Sequence, residues 1–216
     1  MTTGSDQQQP ATDERRQTRG LATQERVLAA AAEEFTAYGV DGARINRIAT
    51  NARASKERIY AWFGDKESLF DSIMQCGLDE LAEAVPISTD LVDYTVRLHD
   101  VFTARPDLQR VAVWAWLHDG SRPTPLAAQR LDSYRHKIRT ITEAQRDGLV
   151  EASWEPHHLL VMLITLATSW LMAPAEVRQI AADSGASAER RAQVRFAAER
   201  LLTPHPAKPG STIPVQ

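Results

Sequence analysis

Hydrophobic positions recur three and four residues apart over most of the chain, which is the spacing of one buried face of an α-helix. The pattern predicts a first helix that begins at Thr23, as N-cap, and ends at Gly39. Two short helices follow, and Ser55 is expected to cap the second of them. No stretch alternates with period two for long enough to predict a strand. The sequence therefore predicts an all-α fold.

The C-terminal part of the chain continues the helical pattern. A fourth helix is predicted to begin after Asp65, its N-cap, and to end before Pro86. Further helices are predicted over about residues 89–104, 106–118, 125–148, 156–172 and 187–202. The segment from Leu159 to Met172 is apolar at nearly every position, so it needs cover on every side.

Two terminal stretches lack the hydrophobic residues that a packed core requires. Residues 1–20 are rich in Gln, Thr, Asp and Arg, and residues 203–216 are rich in proline. Both are predicted to be disordered tails. Between them, we predict an N-terminal three-helix domain over residues 21–66 and a larger helical domain over residues 67–202.

Charge is unevenly distributed along the 216 residues. Residues 15–66 carry ten basic and six acidic side chains, a balance of +4, whereas residues 67–216 carry fifteen and nineteen, a balance of −4. A basic segment on an acidic body favours a polyanionic partner at the basic end. The alternative is that the basic segment is only a solvated face.

The single cysteine and the sequence motifs bear on enzymatic and metal-binding function. Cys76 alone cannot form an internal disulfide or a cysteine-cluster zinc site, which favours a reducing, cytoplasmic setting. We expect it to be a buried small residue. No His-Glu-x-x-His motif, Gly-rich phosphate loop or Gly-x-Ser-x-Gly elbow occurs. We therefore expect no enzyme, no metal and no cofactor, and no apolar run reaches the ~18 residues that a membrane span requires.

The most informative stretch runs from Arg44 to Lys66, where two short amphipathic helices are separated by about three residues. In a helix-turn-helix, the first helix supports a second one that enters a DNA major groove. This stretch resembles the DNA-binding half of the TetR family of bacterial repressors over about residues 22–75. The residues that carry the resemblance are Glu33-Glu34-Phe35, Tyr38-Gly39, Ile48-Ala49, Ala52, Ser55-Lys56, Ile59-Tyr60, Phe63, Lys66-Glu67 and Leu69.

Two positions depart from the family pattern. The family usually has Thr or Ser as the cap of the second helix, where this chain has Ala43 and Arg44. The turn usually carries Gly and Val, where this chain has Arg53 and Ala54. Arg53 must therefore either accept a left-handed conformation, which is uncommon for residues other than glycine, or alter the turn.

The resemblance and the predicted helix faces together identify candidate DNA contacts. The resemblance implies that the hydroxyl of Tyr60 binds a phosphate. Arg44 and Lys66 stand near helix starts, where a cation opposes the helix dipole unless an anion binds there. Outward residues of the third helix are the candidates for base edges, because Arg suits guanine and Glu accepts from cytosine. The full set of predicted DNA contacts is Arg44, Asn46, Arg47, Ser55, Lys56, Glu57, Arg58, Tyr60, Trp62 and Lys66.

Several of these residues have a structural alternative. The alternative for Tyr60 is a half-buried packing role, and for Trp62 it is packing against the first helix. The arginines of the N-terminal tail form either a minor-groove arm or a solvated tail, of which the tail is favoured. The alternative for the whole chain is a helical protein-interaction module that has lost specific DNA binding, and the presence of Lys56 and Arg58 argues against it.

The larger domain is expected to sense a ligand and to dimerise. In TetR-like proteins the last two long helices pair with their copies, which implies a homodimer through about residues 157–172 and 187–202. A charge at Leu163 or Val194 is then expected to disrupt it. Two copies would read both halves of a near-palindromic operator, and the resemblance implies release by a small-molecule effector. The predicted effector contacts, which have a core-filling alternative, are Trp114, Trp116, His118, Tyr134, Met162, Thr165 and Trp170.

Overall fold

A computed structural model describes residues 9–204 except 109, 111–112 and 114–124. These residues form helices and include no strand, so the predicted all-α fold is confirmed. The helices are α1 (Gln9–Gly42), α2 (Ile45–Ala52), α3 (Lys56–Phe63), α4 (Lys66–Ala84), α5 (Leu91–Ala104), α6 (Pro125–Arg146), α7 (Pro156–Thr168), α8 (Ala175–Asp183) and α9 (Arg190–Leu202). A 3-10 turn, Ala186–Glu189, precedes α9.

The chain divides into two compact units. The first consists of Met1–Asp79 together with Asp107–Leu126, and the second of Glu80–Pro106 together with Ala127–Gln216. The first unit thus extends beyond residue 66, where the sequence placed the domain boundary. The reason is that α4 contributes Leu69, Phe70 and Ile73 to the same core as α1, α2 and α3.

The core of the first unit is built from aliphatic and aromatic side chains at helical spacing. Phe35 of α1 is fully buried, and its ring meets Phe70 of α4 edge to face at 5.1 Å. Ile48 of α2 and Ile59 of α3 are enclosed in the same cluster. Burying apolar side chains of this size stabilises the unit by about 1.5–3 kcal/mol each.

The first helix is longer than the sequence pattern predicted. It begins at Gln9, so Thr23 lies inside it and the predicted N-cap role of Thr23 is wrong. The Thr23 hydroxyl donates to the Arg19 carbonyl oxygen at 2.8 Å, one turn back in the helix. Residues 9–20, predicted to be part of a disordered tail, are helical, in keeping with the good helix formers Gln, Arg, Glu and Ala among them.

The predicted helix end at Gly39 coincides with a break in the regular helix, although α1 extends to Gly42. Helical hydrogen bonding continues to Gly42, but Gly39 has φ 67° and ψ −179°, which interrupts the regular helix. Essentially only glycine adopts this backbone conformation, because it has no Cβ atom. Gly39 therefore sets the direction in which the chain leaves α1 toward α2.

In the second unit, α5, α7 and α9 pack against one another. Leu159 and Leu163 of α7 are fully buried there, together with Ile141 of α6 and Ala198 of α9. Two polar contacts join the helices: His99 Nδ1 donates to the Ala167 carbonyl oxygen at 2.9 Å, and Arg191 Nε lies 2.9 Å from an Asp100 carboxylate oxygen.

Several predicted helix limits in the second half were wrong. The helix that begins at Pro156 ends at Thr168 rather than Met172, where the backbone hydrogen bonds tighten to a three-residue spacing, from the Ser169 amide to the Leu166 carbonyl oxygen and from the Leu171 amide to that of Thr168. The helix α8 was not predicted at all, although Pro174 precedes it. The last helix begins at Arg190 after a 3-10 turn, and the predicted 125–148 helix ends at Arg146. Most of the predicted 106–118 helix lies outside the described residues.

Candidate nucleic-acid interface

The connection between α2 and α3 has the geometry of a helix-turn-helix. Arg53 ends α2 in the left-handed conformation, with φ 51° and ψ 47°. It is the one described residue other than glycine with a positive φ. The Arg53 and Ala54 amides donate to carbonyl oxygens of the last turn of α2, at 3.2 and 3.0 Å. Of the two outcomes that the sequence allowed for Arg53, the left-handed one is therefore observed.

Helix α3 is anchored on one side and exposed on the other. Ser55 is its N-cap, as predicted, and the Ser55 hydroxyl accepts a hydrogen bond from the Arg58 amide at 3.3 Å. Ile59 is only 1% exposed and attaches the helix to the core. The opposite side of α3 leaves four predicted DNA contacts exposed: Lys56, Glu57, Arg58 and Tyr60.

The aromatic residues of α3 have different environments. Tyr60 is 49% exposed, so the core does not enclose its ring. Trp62 is half-buried and packs against the core cluster, with its ring 6.5 Å from that of Phe63. The Arg58 guanidinium lies 5.7 Å from the Trp62 ring centre. These contacts favour the packing alternative for Trp62, which also limits where the Arg58 side chain extends.

Lys66 is the first residue of α4 and is half-buried. Asp65 caps this helix, as predicted, because its carboxylate accepts from the Ser68 amide at 2.7 Å. Lys66 is therefore a cation at the N-terminal end of α4, where it opposes the helix dipole while the Asp65 carboxylate compensates that dipole. A cation at this position is compatible with the phosphate contact that the sequence predicted for Lys66.

The start of α2 is occupied by a carboxylate from α1. Glu34 is 5% exposed, and its Oε1 accepts from the Arg44 amide at 2.9 Å and from Arg47 Nε at 2.7 Å. Burial alone would raise the pKa of Glu34, but the hydrogen bonds and charges of the two arginines outweigh it and hold the pKa below its ordinary value. Glu34 is therefore a buried, ionised partner of α2.

Arg47, predicted to contact DNA, is engaged within the protein. Besides its ion pair with Glu34, the guanidinium donates to the Gly42 carbonyl oxygen at 3.0 Å and lies 4.3 Å from the Tyr38 ring centre. Arg44 is the N-cap residue of α2 and makes no side-chain cap. The side chains of Arg44 and Asn46 are exposed.

Four of the seven predicted effector contacts lie within the described residues. Trp114, Trp116 and His118 lie outside those residues. Tyr134 and Met162 are 38% and 41% exposed, and Thr165 is also exposed. Trp170 is half-buried, with the Arg190 guanidinium 4.4 Å from its ring centre.

An open groove of about 390 Å³ lies elsewhere in the second unit, and none of the predicted effector contacts lines it. It lies where the start of α5, the chain after α6 and the end of α9 meet. Its apolar lining includes Leu91, Leu149 and Leu202, and its acidic lining includes Asp90 and Glu199.

Cys76 is exposed on α4, so the prediction of a buried cysteine was wrong. The packed face of α4 includes Ile73 and Gly77. Gly77 lies close to Leu108, since a Cβ atom added to this glycine would be 3.1 Å from the Leu108 side chain. Cys76 lies beside this face and not on it. Among the described residues, no three His, Cys, Asp or Glu side chains are grouped as a metal site would require. No described helix has the length and apolar character to cross a membrane.

Both units match models of one protein family. Residues 27–73 match the model of bacterial regulatory proteins of the tetR family, and residues 90–200 match the model of the tetracyclin repressor-like C-terminal domain. The first match contains α2 and α3 entirely, and the second extends from α5 into α9.

Individual relatives agree with the family models. The chain is 32% identical to the HTH-type transcriptional repressor SCO4008 of Streptomyces coelicolor, over 84% of this chain and 95% of that protein. The structure of a putative transcriptional regulator of the same organism, SCO4942, superposes with a TM-score of 0.73 at 36% identity, covering 83% of this chain and 98% of that one. Salmonella enterica GusR shares the fold, with a TM-score of 0.62 at 20% identity over 83% of this chain and 95% of its own.

Proposed function

Because this chain belongs to the TetR family of bacterial regulatory proteins and is a DNA-binding transcriptional regulator, we propose that it represses transcription by binding a near-palindromic operator as a homodimer. The observation that carries the proposal is the exposed, charged side of α3, held in place by the buried Ile59. A short helix with this construction can enter the major groove. The relative SCO4008, which is named a repressor, supports the direction of regulation.

Within this interface, Tyr60, Lys66 and Arg44 bind phosphates and set the register of the protein on DNA. Lys56 and Arg58 contact base edges, and Glu57 accepts from cytosine or excludes other bases. We assign no direct DNA contact to Arg47, because its guanidinium already serves Glu34, the Gly42 carbonyl oxygen and the Tyr38 ring.

The test is selection of bound fragments from the genome that encodes the protein, followed by anisotropy titrations on the enriched duplex and on a scrambled duplex. We expect enrichment of a sequence with twofold symmetry and a fall in transcript from a promoter that overlaps it. Arg135→Ala, which removes an exposed arginine of α6, is the matched control for Arg58→Ala. If no DNA fragment is retained above background, the result contradicts specific DNA binding and favours the protein-interaction alternative.

The homodimer forms through α7 and α9. These helices pack against each other, and each leaves large apolar side chains exposed: Val161 is 63% exposed, Met162 41% and Phe196 54%. Exposed apolar residues grouped on neighbouring helices are typical of association surfaces. A second copy related by a twofold axis would cover the same residues on both protomers.

A small-molecule effector that binds the second unit releases the DNA. Such release requires the effector to prefer the conformation with low DNA affinity, and the difference in its affinities limits the effect. Candidate contacts within the described residues are Tyr134, Thr165 and Trp170, whereas we assign Met162 to the dimer contact. The protein acts in the cytoplasm, where its DNA target lies, and has no catalytic role. A compound that quenches Trp fluorescence but leaves operator affinity unchanged would not be that effector.

A further inference from the structure

Helix α2 lacks the charged and capping side chains that helices usually supply at their own ends. Its first turn has no acidic residue, its last turn has no basic residue, and its N-cap makes no side-chain hydrogen bond. The backbone cap at Arg53 satisfies carbonyl oxygens of Ala49 and Thr50 at its C-terminal end, but an eight-residue helix is only marginally stable by itself. Yet α2 must hold α3 in place for DNA binding, because it is the helix that supports it.

Helix α1 supplies an anion at the start of α2. The Glu34 carboxylate accepts a hydrogen bond from the backbone amide of Arg44, the N-cap residue. A Ser or Thr at the N-cap would not bond to this amide, because its hydroxyl accepts from an amide two or three residues further on. A negative charge at a helix N-terminus is stabilised by the helix dipole. Arg47, in the first turn of α2, pairs with the same carboxylate and so attaches α2 to α1 a second time.

The same helix supplies a cation at the end of α2. Arg26 Nε donates to the carbonyl oxygen of Ala52, the last residue of α2, at 3.2 Å. The other guanidinium nitrogens donate to the Thr23 hydroxyl at 3.0 Å and the Ala22 carbonyl oxygen at 3.1 Å, which fixes the orientation of the group. A cation at a helix C-terminus is the electrostatic counterpart of an anion at the N-terminus.

The spacing of the two residues matches the helix that they flank. Arg26 and Glu34 are eight residues apart on α1, and α2 is eight residues long, so each span is about 12 Å at the rise of an α-helix. Because Glu34 meets the start of α2 and Arg26 meets its end, the two helices run antiparallel along this contact. Both ends of α2 therefore have a charge of the complementary sign.

We propose that Glu34 and Arg26, termed the α1 caps, are positioning residues for DNA binding: they fix both ends of α2 on α1 and thereby hold the exposed face of α3 in its DNA-competent orientation. The proposal rests on the DNA-binding function. Loss of either cap allows α2 and α3 to leave that orientation, and the apparent operator affinity falls with the fraction of competent protein. Neither residue needs to touch DNA.

The experiment compares Glu34→Gln, Arg26→Gln and Arg26→Lys with the unaltered full chain. Operator affinity is measured by anisotropy over a range of salt concentrations, and folding by circular dichroism and thermal unfolding. We expect each Gln variant to bind about tenfold more weakly, from the loss of a charge at a helix end in both protomers. We expect the slope of log K against log salt to stay unchanged and Arg26→Lys to recover part of the affinity.

Each outcome supports or contradicts the proposal. If Arg26 instead binds a phosphate, Arg26→Gln lowers the salt slope by about 0.9 per protomer. If the caps only stabilise the fold, the unfolding temperature falls while the folded variants bind operator with unchanged affinity. Arg135→Gln, which breaks the 3.0 Å pair with Asp132 on α6 in the second unit, is the matched control and should bind normally. If the unaltered chain binds no DNA, the functional proposal fails; if the Gln variants bind equally well, only this inference fails.

Arg47 provides an independent check by a double-mutant cycle. If Arg47 acts by compensating the buried Glu34 charge, Arg47→Gln weakens binding less in the Glu34→Gln background than alone. If Arg47 is instead a phosphate ligand restrained by Glu34, Glu34→Gln frees it and strengthens DNA binding, which would overturn the proposal.

Discussion

Helices α3 and α7 are anchored to their cores in the same way, but the chemical character of their exposed sides differs. Each is held by fully buried aliphatic residues, Ile59 in α3 and Leu163 in α7. The exposed side of α3 carries the charges of Lys56 and Arg58, whereas that of α7 carries Val161, which is 63% exposed. The inner faces therefore reveal only that both helices are packed, and the outer faces distinguish their partners.

The difference fits the physical properties of the two proposed partners, DNA and a second copy of the chain. DNA presents phosphates and hydrated base edges, so a surface that binds it remains charged and solvated when free. In the proposed homodimer, a second copy of the chain presents apolar side chains, so the surface that binds it is apolar and becomes dry. The largest effects are expected where a substitution alters the buried inner face, and smaller effects where it alters an outer face.

The strongest prediction concerns the inner face of α7. Leu163→Ala should lower the free energy of unfolding by about 2–5 kcal/mol, because it leaves a cavity in the core of the second unit. Leu131→Ala, at a position of α6 that is 49% exposed, is the matched control and should change stability far less. Urea unfolding at a fixed protein concentration measures both, and equal losses would contradict the packing described for α7.

This burial also changes the dimerisation test that the sequence indicated. Leu163 is 0% exposed and Val194 2% exposed, so a charge at either position would unfold the protomer instead of only separating a dimer. Val161→Glu is the sharper substitution. We expect it to weaken dimerisation by about 3 kcal/mol, or over a hundredfold in Kd, because the charge enters an apolar contact from both sides.

Sedimentation velocity over a concentration series measures that change, with circular dichroism to establish that the variant is folded. The matched control is Val177→Glu on α8, where Val177 is 46% exposed but lies outside the proposed contact. A monomeric unaltered protein at micromolar concentration would contradict the dimer. Equal weakening by both substitutions would contradict its location on α7 and α9.

The sequence predicted local features of both regions because their signals are local. Ser55 and Asp65 cap the helices that follow them, and Gly39 interrupts α1 where a residue of any other type would be strained. Ile59 is buried at the position that the helical spacing indicated. Each of these depends on residues within one or two turns, so the pattern in the chain is sufficient to identify it.

Contacts between distant residues were not predictable in the same way. The hydrogen bond between Glu34 and Arg47 joins residues 13 positions apart, and the one between Arg26 and Ala52 joins residues 26 positions apart. Hydrophobic periodicity gives no indication of such contacts, because it does not report which charged side chains meet. Arg47 was therefore assigned to DNA, since a cation in a basic segment has no other visible partner. The exposure of Cys76 was also missed, because it depends on which side of α4 continues toward Leu108.

A third prediction separates base reading by α3 from phosphate binding at the start of α4. Arg58→Ala should weaken operator binding by about 1–3 kcal/mol per half-site and scrambled DNA much less, because it removes a base contact. Lys66→Ala should weaken both about equally and lower the salt slope by about 0.9 per protomer. Salt titrations on the two duplexes measure these effects, and an equal loss on both duplexes for Arg58→Ala would identify it as a phosphate contact.

Glu57 is the internal control for that assignment. As an exposed anion in the first turn of α3, it repels phosphates, so Glu57→Gln should strengthen binding to scrambled DNA while reducing the preference for the operator. Unchanged preference together with stronger binding would mean that Glu57 contributes repulsion but no sequence discrimination.

The smallest effect is expected at the turn between α2 and α3. Arg53 has φ 51°, a conformation that is strained for any residue with a Cβ atom, so Arg53→Gly should raise the free energy of unfolding by about 0.5–1 kcal/mol. The gain is smaller than the relief of strain alone, because glycine also increases the entropy of the unfolded chain. Arg53→Ala is the control, since it removes the same side chain and keeps the strain. If the two variants unfold at the same urea concentration, the turn stores no strain at this residue, and the family's preference for glycine there must have another cause, such as close approach of the backbone to DNA.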